Sequence, residues 1–168
     1  GASVAMAMLR REVRTWAALG ELYGLWGNRW DATRLPLADQ AFGQAVALAP
    51  NLATTYTSWG MVHLVGGRWE EAASRFRQAV DLDATDGYAF AHLGEAELGQ
   101  GRFEEAERAY RQAVHWAPDL SAAHAGLAQA LWLQGRRAEA QEALGRALAL
   151  DPNQPVARAL EREMGASP

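Results

Sequence analysis

An all-α protein of stacked helical hairpins is predicted by three features of this 168-residue chain. Alanine is the commonest residue, other strong helix formers follow, and β-branched residues are sparse. Apolar residues recur at helical spacing, as in Phe103, Ala106, Tyr110, Ala113 and Val114. The chain also repeats: LAP at 48–50, LDA at 82–84, WAP at 116–118 and LDP at 150–152 stand 34 residues apart each time. A hairpin cannot bury its own apolar stripe, so neighbours must stack to cover it.

The elements follow in order. Residues 1–12 form a helical flank, either lengthening the first helix or preceding it, with Val4, Met8 and Leu9 apolar. The segment lacks an initiator methionine, so the chain is expected to be a piece of a longer protein or a processed form. WAALGELYGLWG at 16–27 places three glycines in an amphipathic helix, each costing about 1 kcal/mol relative to alanine. Gly20, with Gly60 and Gly94 in the same phase later, is expected where two helices approach closely. Gly27, Gly67, Gly101 and Gly135 are expected to close first helices in the left-handed conformation. PLADQAFGQAVALAP then arrives late, which implies an insertion near 31–36, with Pro36 opening the next helix. GRWEEAASRFRQAVDLD, GRFEEAERAYRQAVHWA and GRRAEAQEALGRALALD superimpose at 67–83, 101–117 and 135–151.

These units resemble the tetratricopeptide repeat, a 34-residue pair of antiparallel helices with the pattern W-x2-L-G-x2-Y followed by G, A, F, A and P. Trp16, Leu19, Gly20, Tyr23 and Gly27 carry it most completely; Tyr56, Trp59, Gly60, Gly67, Ala72, Phe76 and Ala79 carry it next. Phe90, Leu93, Gly94, Gly101, Ala106, Tyr110, Ala113 and Pro118 mark the third unit, Leu127, Leu131, Gly135, Ala140, Leu144, Ala147 and Pro152 the fourth. His63 and Glu97 stand where the pattern has tyrosine. The resemblance implies a right-handed α-solenoid of about four repeats, at 13–52, 53–86, 87–120 and 121–154. A capping helix and tail at 155–168 follow, with Val156, Leu160 and Met164 on one side.

Several functions are excluded or disfavoured. A net charge of -4 gives no general attraction to nucleic acid or anionic membranes. Without cysteine there is no disulfide, thiolate metal site or cysteine nucleophile. No apolar run approaches the ~20 residues that cross a bilayer. The glycines recur with the repeat, unlike a phosphate-binding GxGxxG. His63, His92, His115 and His124 fall in different repeats and none belongs to a metal-binding pattern; only His92 and His124 are placed to approach each other. No catalytic residue, cofactor or metal is expected. The absence of lysine and isoleucine suggests a GC-rich, bacterial source, and a cytoplasmic location is favoured.

Function is therefore expected at a surface. In the resembled family the second, fifth, ninth and twelfth residues of each unit line a concave groove, which here gives Arg14, Ala17, Glu21 and Gly24, then Thr54, Thr57, Met61 and Leu64. Tyr88, Ala91, Glu95 and Leu98 follow, then Ala122, Ala125, Gln129 and Trp132. Thr54, Thr57, Met61, Tyr88, Ala91, Glu95, Leu98, Gln129 and Trp132 form the candidate peptide-binding groove. Trp132 is either its aromatic anchor or a residue covered by the capping helix. The family's clamp for a terminal carboxylate has no counterpart, since its places hold Ala17, Glu21, Ser58, Tyr88 and His92. Trp116 and Trp59 replace repeat leucines and are expected in the core. Glu71 with Arg75, Glu104 with Arg108, Glu107 with Arg111 and Glu142 with Arg146 are expected to pair on a solvated convex face. The reading is a non-catalytic module that binds a protein or peptide. Its alternatives are an accessory module of a larger, membrane-bound polymerase or transferase, and a homo-oligomer joined through the open N-terminal flank.

Overall fold

The computed structural model describes residues 2–166, and among them the chain is helical throughout, without strands. Its helices are α1 (Ala2–Arg29), α2 (Leu35–Leu48), α3 (Ala53–Val65), α4 (Trp69–Leu82), α5 (Gly87–Gly99), α6 (Phe103–Trp116), α7 (Ser121–Leu133), α8 (Arg137–Leu150) and α9 (Pro155–Ala166). They pack as pairs, α1 with α2, α3 with α4, α5 with α6 and α7 with α8. Two compact units divide the chain after Ala84, the first holding α1–α4 and the second α5–α9.

In the first unit, α1 absorbs the N-terminal flank into one continuous helix. Gly20 admits the Phe42 ring of α2, which would lie 2.7 Å from a β-carbon there, and Gly24 admits Val62 of α3. The glycines of the opening segment are therefore contact surfaces for two helices. Gly27 departs from expectation: it is buried within α1 against Leu35, and the helix runs on to Arg29. The reason is the inserted turn. Asp31 closes it by accepting hydrogen bonds from the Thr33 amide (3.1 Å) and hydroxyl (2.6 Å), so no left-handed residue is needed. These bonds hold the Asp31 carboxyl below its usual pKa. Pro36 sits in the first turn of α2, where its missing N–H costs nothing.

The other first helices close alike. The amide of Arg68 bonds the carbonyl of His63 (2.9 Å), that of Arg102 bonds Glu97 (3.0 Å) and that of Arg136 bonds Leu131 (3.0 Å). Each closure requires a left-handed residue just before the arginine, supplied by Gly67, Gly101 and Gly135 with φ of 68°, 73° and 78°.

The second unit has the more extensive alanine and leucine core, in which Ala106, Tyr110, Ala128, Leu131, Leu144 and Ala147 interlock. Gly94 and Gly126 make room for the Tyr110 ring from two sides. Helix α9 adds Ala157 and Leu160 to this core, with Met164 partly buried against it. Val156 turns outward, contrary to the expected stripe, because the first turn of α9 is held by Gln154, whose side-chain oxygen accepts from the Ala157 amide. Trp116 is not a core residue: it is 44% exposed, like Leu82 and Leu150 at equivalent positions in the last turn of their helices. His115 packs edge-on against its ring.

Candidate protein-interaction surface

The four first helices, α1, α3, α5 and α7, each present exposed residues beside buried ones. On α3 the strip is Thr54, Thr57, Ser58, Met61 and Val65, exposed or half-buried, while Leu64 is buried. Ser58 donates to Glu21 of α1 at 2.7 Å, so one residue of the expected lining is already engaged by the neighbouring helix. On α1, Arg14 and Glu21 are exposed, Ala17 is half-buried and Gly24 is covered by Val62.

On α5 the strip runs Tyr88, His92, Glu95, with Tyr88 61% exposed. Asp86 fixes the start of this helix by accepting from the amides of Tyr88 and Ala89, both at 3.0 Å. His92 Nδ1 lies 3.7 Å from the Glu95 carboxylate. Ala91 and Leu98 do not share this strip: Ala91 is buried in the core of the unit and Leu98 packs against it. On α7, Ala122 is exposed, Gln129 half-buried and Ala125 fully buried.

Trp132 is half-buried, and its indole N–H donates to Glu163 of α9 at 3.0 Å while the Arg137 guanidinium lies over the ring. The tryptophan is thus engaged by the last helix as well as bordering the surface. Beside it, Gln129, Val156, Ala159 and Glu163 border a cleft of about 300 Å³. His92 and His124 do not join: the His124 ring instead contacts the Pro118 carbonyl at 3.0 Å.

Two polar clusters escaped the sequence reading. In the first unit Asp39 of α2 accepts from the Trp59 indole (2.7 Å) and lies 3.2 Å from His63 Nε2 and 3.7 Å from Arg68. His63 is buried, as expected of a packing residue, and burial followed by the nearby Arg68 charge holds its pKa below the usual imidazole range despite Asp39. Its Nδ1 is buried without a partner, so the neutral ring carries its proton toward Asp39. Arg75 lies 3.6 Å over the Trp59 ring and donates to Gln78, rather than standing on a solvated face with Glu71. Its short, buried approach to an indole outcompetes an exposed ion pair.

In the second unit Glu107 is the hub. It pairs with Arg111 as expected, yet it is largely covered and also accepts from Gln134 (2.9 Å) and Arg136 (2.7 Å) across the α6–α7–α8 junction. Burial would raise its pKa, but these hydrogen bonds outweigh that and lower it. Arg108 pairs with Glu105 at 3.0 Å, one residue nearer than the expected Glu104. Spacing alone identifies exposed neighbours on one helix; partners brought in by the following turn are invisible to it.

Hairpins at a fixed period, closed by the same glycine turn and packed through small residues, define a helical-repeat protein. Tetratricopeptide repeat models match residues 57–120 and 97–164, and the chain belongs to the tetratricopeptide repeat family. Among solved structures it is similar to a crystal structure of MamA, with 20% identity over 84% of this chain and 79% of that one and a TM-score of 0.71. It is also similar to the first tetratricopeptide domain of Spaghetti (RPAP3) bound to the HSP90 peptide SRMEEVD, with 21% identity, 67% and 90% coverage and a TM-score of 0.64. The Arabidopsis OM64 tetratricopeptide domain matches with 21% identity, 66% and 92% coverage and a TM-score of 0.64. No curated protein sequence matches the chain. Tetratricopeptide repeats are in general non-catalytic protein-interaction domains. Among the described residues no helix is long and apolar enough to cross a membrane.

Proposed function

We propose that the chain is a protein-interaction module that binds a peptide or partner helix on the exposed strips of its first helices. In the second unit the contact residues are Tyr88, His92, Glu95 and Gln129, bordered by Trp132; in the first they are Thr54, Thr57 and Met61. The observation that carries this reading is Tyr88. A large aromatic ring stands 61% exposed at the capped start of α5, in line with Glu95, where packing gives it no reason to be aromatic. Such rings supply much of the binding energy at interfaces at little entropic cost.

A tetratricopeptide neighbour is bound to a peptide ending in EEVD. The strip of the second unit carries Glu95 and no arginine on α5 or α7, so a ligand bearing a cation or neutral polar groups suits it better than an acidic tail. Selection from a random peptide phage library, followed by calorimetry on the winning peptides, tests this. Tyr88→Ala is expected to weaken them about tenfold or more. Winners that bind Tyr88→Ala and Glu95→Ala as tightly as the unaltered chain would place the site elsewhere.

A further inference from the structure

Helix α1 has a second face that neither α2 nor α3 covers. Val13, Gly20, Gly24 and Gly27 are buried on one side. On the other side Val4, Met8, Thr15, Ala18 and Leu22 succeed one another at steps of three, four or seven, Leu25 and Trp26 stand three and four residues beyond Leu22, and all are exposed. Met8, Leu22 and Leu25 are each 63% exposed. From Val4 to Trp26 the stripe is about 33 Å long at 1.5 Å per residue. A trough of about 910 Å³ runs beside its middle, bordered by Met6, Arg10, Arg14, Ala18 and Leu22.

The fold shows what shape fits such a face. In the second unit α7 occupies the comparable place in its hairpin, yet Ala123, Ala125, Leu127, Ala128, Ala130 and Leu131 are all buried, because α5 and α6 pack on it in addition to α8 and α9. A first helix of this architecture is thus shaped to receive further helices on the side that α1 leaves open. The charges define what such a helix must carry. Arg10, Arg11 and Arg14 are exposed along the stripe, and among the described residues no carboxylate is paired with them. Chain-wide acidity does not balance them locally, since α1 holds four arginines against Glu12 and Glu21.

We infer that the open face of α1 docks an acidic amphipathic α-helix of another protein. Its apolar stripe lies on Met8, Ala18, Leu22 and Leu25, and its carboxylates meet Arg10, Arg11 and Arg14. The alternating helix-on-helix geometry favours a protein helix over a lipid surface, and Glu12 and Glu21 at the edges of the face oppose an anionic bilayer. This surface lies on α1 of the first unit, whereas Tyr88 belongs to α5 of the second.

The test uses two synthetic amphipathic helices of about 20 residues, identical in their leucine and alanine stripe but flanked by glutamate in one and lysine in the other. Binding is read by fluorescence anisotropy. The glutamate peptide is expected to bind at least tenfold tighter than its lysine twin. Leu22→Asp is expected to abolish binding, Arg11→Glu with Arg14→Glu to invert the preference, and Tyr88→Ala to change nothing. Circular dichroism melts confirm that these exposed substitutions leave the fold intact. Equal affinity for both peptides, or none for either, overturns the inference. So does sedimentation showing a dimer of the chain that Leu22→Asp dissociates, which would make a second copy the occupant. Anionic phosphatidylglycerol vesicles that bind α1 and displace the glutamate peptide would likewise overturn it.

Discussion

The two units solve the same packing problem with different chemistry. Residues 85–168 close their hairpins with alanine, leucine and one buried tyrosine, and α9 covers the outer side of α7. Residues 1–84 build their centre around Phe42, Trp59 and Val62, stack the Phe42 and Trp59 rings at 5.7 Å, and tie them to a polar cluster through Asp39. They leave the far side of α1 open. The arginine that follows each helix-closing glycine shows the same contrast. Arg68 reaches toward Asp39 of the preceding hairpin and Arg102 toward the buried Glu97 of its own helix, whereas Arg136 binds Glu107 and Glu139 together. One backbone device, repeated, thus serves three electrostatic environments. The chain's whole net charge falls in the second unit, which holds twelve carboxylates against eight arginines, while the first is balanced at eight of each.

The largest expected effect separates the cores. Phe42→Ala should cost about 3–5 kcal/mol, since the ring is fully buried and fills the space that Gly20 opens. Hydrogen exchange should show α1 and α2 losing protection first. Leu160→Ala should cost about 2–5 kcal/mol in the second unit, with faster exchange in α7 and α9. Loss of protection confined to α9 would mean that the last helix does not support the core.

Smaller effects sharpen the comparison through pH. His63 has a lowered pKa in the folded protein, so the unfolded chain binds its proton more readily. Its contribution is complete above the ordinary imidazole value of 6.5 and is lost as pH falls below it. Glu107 also has a lowered pKa, and its contribution disappears only as pH drops below the ordinary carboxyl value of 4.5. Acidification should therefore loosen α3 and α4 before it loosens the α6–α8 junction. His63→Gln should flatten the first step, as read by exchange at a series of pH values. Asp39→Ala should cost about 1–3 kcal/mol by leaving the Trp59 N–H without its acceptor. The smallest change is Arg136→Ala, which should shift the melting temperature least of the four alanine substitutions, because solvent screens the guanidinium for all its hydrogen bonds.

The repeat period, the helical pairs and the glycine turns were legible because each depends on residues at fixed spacing within one unit. Gly27 misled because an insertion removed the turn it marks elsewhere. Trp116 misled because periodicity assigns a residue to a face without telling where the helix ends. Ala91 shows the same limit at the candidate site: the family pattern places it in the lining, whereas packing of α5 on α7 buries it and turns His92 outward. Asp39 and Glu107 were hidden because their partners lie on helices brought close only by folding. Tyr88 was placed in the lining by the family pattern, and the structure leaves its ring exposed at the capped start of α5.

The central claim is that this chain acts through the exposed strips of its first helices. Amide chemical-shift mapping with a library-selected peptide tests it most directly. The account predicts that the shifts concentrate on Tyr88, His92, Glu95 and Gln129 while the outer residues Arg108, Arg111 and Glu142 of α6 and α8 stay unmoved. Shifts concentrated on α6 and α8, with α5 and α7 silent, would contradict it.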